Sequence, residues 1–72
     1  MPIINITTWP TPEEVKKNVM EKITKLLHEE TGAPLDKITV FFNEIEKNNW
    51  AEGGILGSDP DFREKSRRKT FD

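Results

Sequence analysis

One helix signal standing between two β-branched runs restricts this chain to few folds. Residues 2–8 alternate around Ile4 and Ile6 and read as a strand. Thr11-Pro12-Glu13-Glu14 has the form of a helix start, with Thr11 as cap, Pro12 in the first helical position and Glu14 closing a capping box. Val15, Val19, Ile23, Leu26 and Leu27 then recur every three or four residues, which predicts an amphipathic helix of about five turns. Gly32 suits its C-cap, and Pro34 stops continuation. Residues 37–45 form the second predicted strand, with Ile38, Val40 and Phe42 on one face and Thr39, Phe41 and Asn43 on the other.

Strand, long helix and strand predict an α/β (α+β) subunit built on a right-handed β-α-β unit with a parallel pair. A parallel pair needs cover on both faces, and one helix covers one. The other face, with Phe41 and Ile3, is therefore an expected subunit interface. Size points the same way. A monomer of 72 residues buries only about 60% of its unfolded surface. With no cysteine and one histidine, His28, neither a disulfide nor a metal centre is available to stiffen it, so no metal is expected and oligomerisation remains.

Beyond the second strand, Asn48-Asn49 opens a turn before Trp50, and Gly53-Gly54 supports a tight hairpin into Ile55-Leu56. The chain divides into a domain over residues 1–57 and a polar C-terminal arm over 58–72, anchored by Phe62 before Phe71. Eleven basic against thirteen acidic residues give a formal charge of −2, which supplies no footprint for nucleic acid. The one basic cluster, Arg63, Lys65, Arg67, Arg68 and Lys69, reads either as a solvated tail or as an anion site. No apolar run approaches the ~20 residues that span a bilayer, and Met-Pro-Ile-Ile-Asn-Ile lacks the basic flank of a signal peptide, so a cytoplasmic protein without membrane partners is expected.

Catalytic options are few. There is no cysteine nucleophile, and Gly53-Gly54 lacks the lysine and spacing of a phosphate loop, so no cofactor is expected. His28 reads as a helix surface residue. The N-terminus remains: with Met1 removed, Pro2 presents a secondary amine on the first residue of a strand. An α-amino group titrates near ~7.7–8.0, and an apolar pocket lowers that value, which suits a base that moves protons beside a carbonyl. By residue chemistry alone, Met-Pro reads first as a stiff strand start.

Met-Pro-Ile-Ile-Asn-Ile, the Pro-Glu-Glu helix start, Glu-Thr-Gly-Ala-Pro before a strand, Val-Phe-Phe-Asn-Glu-Ile and Asn-Trp-Ala-Glu-Gly-Gly together resemble the 4-oxalocrotonate tautomerase family over residues 2–56. The resemblance implies a β-α-β subunit with a C-terminal β-hairpin, assembled as trimers of dimers, a homohexamer or in some members a heterohexamer. It also implies a mature N-terminal proline as general base, matched by Pro2, and a pocket aromatic, matched by Trp50. The family's two substrate-binding arginines are missing: Pro10, after a short deletion, and Thr39 stand in those places, and neither makes a bidentate contact with a carboxylate. Anion binding then falls to Arg63, Arg67 or Arg68 from a neighbouring subunit, or to neutral donors on Asn5, Thr39, Asn43 or Asn49.

The leading expectation is a keto–enol tautomerase acting on a carboxylate or enol substrate, a 2-oxo acid or arylpyruvate-like enol, between Pro2 and Trp50 with help from a neighbour. Asn49-Trp50-Ala51-Glu52 is also similar to a dehalogenase segment that supplies a water-activating glutamate. That likeness keeps open hydration or hydrolytic dehalogenation of an unsaturated acid by Pro2 and Glu52, beside Glu52 as an ordinary turn residue. The absent arginines also leave open a non-catalytic oligomeric binding protein of the same fold.

Overall fold

Two parallel strands, β1 (Ile3–Thr8) and β2 (Thr39–Glu44), are joined by α1 (Glu13–Thr31) in a computed structural model that describes residues 2–71. Ile3 pairs with Thr39, Asn5 with Phe41 and Thr7 with Asn43, so these residues share one face of the sheet. Ile4, Ile6, Val40 and Phe42 lie half-buried on the other face, against α1. The second strand is shorter than expected: Leu35–Lys37 coils into a turn of 3₁₀-helix, and Ile38 leads into β2 in extended conformation.

The entry to α1 differs from the predicted capping box. Pro12 itself is the cap, extended at φ −56° and ψ 143°, and no side chain caps the helix. Thr11 turns away, its hydroxyl donating to the Trp9 carbonyl at 2.9 Å. The work passes to Glu44 at the end of β2, which accepts from the Thr11 N–H and from Lys16 Nζ, both at 2.7 Å. Along α1, Val19, Ile23 and Leu27 are half-buried together with Met20, whereas Val15 and Leu26 stay exposed because the two-stranded sheet is narrower than the apolar stripe. At the far end Gly32 takes φ 78° and its N–H donates to the His28 carbonyl at 3.0 Å, closing the helix as its position predicted. His28 is exposed and bonds locally to the Ala33 carbonyl at 2.7 Å.

After a 3₁₀ turn at Lys47–Asn49, β3 (Ala51–Glu52) and β4 (Ile55–Leu56) pair antiparallel about Gly53 and Gly54. Both glycines have positive φ, 60° and 80°, as a two-residue hairpin with the right twist requires. Residues 58–71 turn back on this hairpin through α2 (Phe62–Lys65). The Ser66 carbonyl lies 2.8 Å from where a Cβ on Gly53 would stand, and the Phe71 ring lies against Gly54. Asp59 stabilises the turn into α2, accepting from the Asp61 N–H at 2.8 Å and from Lys65 Nζ at 3.2 Å.

None of the described residues is buried, and Ile3 and Phe41 are each about half exposed on the open face of the sheet. The radius of gyration is 17.1 Å, against about 11 Å for a compact chain of this length. The subunit is elongated, 53 × 24 × 15 Å, with the one long helix α1 lying on the β1–β2 sheet.

Candidate active site

Sequence-expected site residues fall at two ends of the strand pair. At one end Pro2 stands just before β1, half-exposed, and its carbonyl accepts the Thr39 N–H at 3.1 Å. That bond fixes the backbone that carries the pyrrolidine ring. Thr39 is half-buried, while Asn5 and Asn43 sit on the open face. The link from Pro2 to Met1, and so the removal of Met1, lies outside the described residues.

At the other end Thr7, Thr8, Trp9, Ile45, Trp50 and Glu52 line a cleft of about 290 Å³. Trp50 is set rigidly: Phe62 meets it edge-on with centroids 5.3 Å apart at 83°, and a Cβ on Gly57 would stand 2.6 Å from the indole. Gly57 is thus the residue that lets the backbone pass under the ring. Glu52 lines the cleft from β3, and Asn49 lies exposed one residue before Trp50. Trp9, 64% exposed, was not among the expected site residues. The available signal was its place before Pro10, which holds an aromatic residue extended at the end of a strand.

Six strand residues span about 20 Å. Pro2 and Trp50 therefore lie at opposite ends of one subunit. The three arginines separate as well. Arg68 is half-buried and committed within its own segment, Nε donating to the Thr70 carbonyl at 2.8 Å and the guanidinium resting 4.4 Å from the Phe71 centroid. Arg63 and Arg67 are exposed, and none of the three lines the cleft.

Among the described residues two carboxylates are perturbed, both outside the cleft. The Lys16 ammonium, then the Thr11 N–H, holds Glu44 below its ordinary 4.5. The Asp61 N–H, then Lys65, holds Asp59 below 3.8. Both secure the starts of helices. No group of histidines or carboxylates among the described residues is arranged to hold a metal ion, and no helix among them is long and apolar enough to cross a membrane.

The family profile described as Tautomerase, a tautomerase enzyme, matches residues 2–59. A probable tautomerase of Bacillus cereus is 49% identical over 47 residues, 65% of this chain and 77% of the relative. The 2-hydroxymuconate tautomerase of Bacillus subtilis is 43% identical over 47 residues, 65% of this chain and 76% of that one. Among solved structures, YwhB, a homologue of 4-oxalocrotonate tautomerase, matches with a TM-score of 0.73 at 36% identity, over 81% of this chain and 97% of its own. With the β-α-β architecture in place and the profile spanning most of the length, this chain belongs to the 4-oxalocrotonate tautomerase family of the tautomerase superfamily and is an enzyme of the tautomerase, isomerase type.

Proposed function

We propose that this enzyme interconverts the enol and keto forms of a 2-oxo acid, with the Pro2 amine as general base after loss of Met1. The observation that carries the reading is the position of Pro2: half-exposed, opening β1, its backbone held by Thr39. In ketonisation the enol O–H gives up its proton as the C=O forms, and the C=C electron pair takes a proton at the neighbouring carbon. One amine that accepts and returns a proton balances both transfers. The bound carboxylate takes its contacts from the exposed Arg63 and Arg67 of a neighbouring copy or from neutral donors such as Asn5 and Asn43. Changing Arg63, Arg67 and Arg68 together to alanine should raise KM for an acidic enol; an unchanged KM removes the arginines from the site.

The working particle is a homohexamer, a trimer of dimers, in the cytoplasm. Its support is the separation of Pro2 from Trp50 within one chain and the uncovered apolar face. Intact mass should show a mature chain without methionine, and ketonisation of phenylenolpyruvate should be lost on Pro2→Ala. Uniform retention of Met1 in the native host makes the Pro2 nitrogen an amide and overturns the proposal.

Glu52 beside Trp50 supports a second reading, addition of water to an unsaturated acid, with Glu52 deprotonating water while Pro2 protonates carbon. Here Glu52→Gln should abolish hydration and spare tautomerisation; equal effects on both reactions count against it.

A further inference from the structure

The cleft at the C-terminal end of the strand pair has a selectivity of its own. Among the described residues eight large apolar side chains are exposed, and Trp9 is the one of them that lines it. Trp50 lines it too, with Phe62 edge-on to its ring and Gly57 packed beneath it. Ile45 adds apolar surface, Thr7 and Thr8 are neutral, and among the described residues the single charged one in the lining is Glu52, an anion.

That composition selects a ligand. At about 290 Å³ the cleft lies near the small end of the range for small-molecule sites, and takes one aromatic ring with a short tail. Indoles attract a flat ring through offset or edge-on contacts. Glu52 repels a carboxylate brought alongside it, and no cation lines the cleft to offset the repulsion. A monoacid can enter ring first with its carboxylate and reacting carbons directed out of the cleft. A dicarboxylate of similar length must place its second charge beside Glu52.

We propose that Trp9 and Trp50 are the specificity walls that grip the aryl group of a monocarboxylic enol acid, and that Glu52 turns away dicarboxylates. Phe62 is the positioning residue for Trp50, and it lies beyond residues 2–59, the part of the chain matched by the family profile. Turnover of such a substrate rests on the proposed role of Pro2; binding of its aryl end does not.

Calorimetric titration with cinnamate, an unreactive aryl monoacid, and with muconate, a dicarboxylate, separates these claims. Wild-type and Pro2→Ala protein should both bind cinnamate about tenfold or more tightly than muconate. Trp9→Ala should weaken cinnamate about tenfold while Trp9→Phe retains most of the affinity, and Glu52→Gln should narrow the preference over muconate. Because Trp9 is 64% exposed, its replacement should leave folding intact, read as an unchanged circular dichroism spectrum. For Phe62→Ala, KM for an aryl enol should rise more than kcat falls, with rescue by Phe62→Tyr. Equal affinity for cinnamate and muconate, or full cinnamate affinity in Trp9→Ala, overturns the proposal. Selective cinnamate binding by a protein that ketonises nothing upholds the cleft and strikes only the proline reading.

Discussion

Gly53 and Gly57 show how single positions carry the C-terminal half of this subunit. Gly53 needs positive φ for the hairpin and also lies under the Ser66 carbonyl, so a side chain there meets backbone on one side and strain on the other. Gly53→Ala should therefore lower stability by at least about 1 kcal/mol, read as an earlier urea midpoint at fixed protein concentration. Gly57 has no such φ requirement; its constraint is the Trp50 ring, 2.6 Å from an added Cβ. Overpacking of this kind costs about 1–3 kcal/mol. Gly57→Ala should thus shift the tryptophan emission as well as the urea midpoint, and a shift in neither removes Gly57 as the support for the ring. Gly53-Gly54 was legible as a hairpin because the residue type itself carries the signal. The demand on Gly57 was not, since it comes from a side chain seven positions away.

At the scale of elements, α1 illustrates both the reach and the limit of local pattern. Its apolar spacing and Gly32 locate the helix, because periodicity and C-capping act within a turn or two of chain. Its N-terminus is secured instead by Glu44, 33 residues from Thr11. With its pKa held below 4.5, Glu44 adds stability that is present above 4.5 and is lost as pH falls through the lower value in the folded protein. Asp59 does the same for α2 below 3.8. Glu44 is exposed and Asp59 only half-buried, so the effect is modest. Urea unfolding at neutral pH and near pH 3 should show a smaller loss on acidification for Glu44→Gln than for wild type; an identical loss means that the Lys16 and Thr11 contacts contribute nothing measurable. Phe62→Ala should loosen α2 from the hairpin and raise the exchange rate of backbone amides in residues 62–66.

The whole subunit is too thin to hold itself together by its own core. Ile3 and Phe41 lie on a face with nothing over it, and no described residue is buried. Association of copies through this face is the arrangement proposed above, and the test is direct. Phe41→Asp should move the particle to a smaller species by light scattering and abolish activity with it, because a composite pocket is lost when copies separate. In wild type the thermal midpoint should rise with protein concentration, as expected when folding is linked to assembly. A midpoint independent of concentration, with Phe41→Asp unchanged in size, places the interface elsewhere.

What the sequence determined by itself is the order of the elements, the C-cap at Gly32, the glycine hairpin and the alternation that leaves Phe41 facing outward. Each depends on residues within about one turn or one strand pair, where spacing and residue chemistry decide the conformation. Only tertiary structure decided that Trp9 and Trp50 line one cleft, that Phe62 sets the second indole, that Glu44 clips the helix entry and that Pro2 stands at the opposite end from all of them. The first three of those relations join residues 12 to 41 positions apart, and no local period encodes which distant side chains a folded sheet brings to the same end.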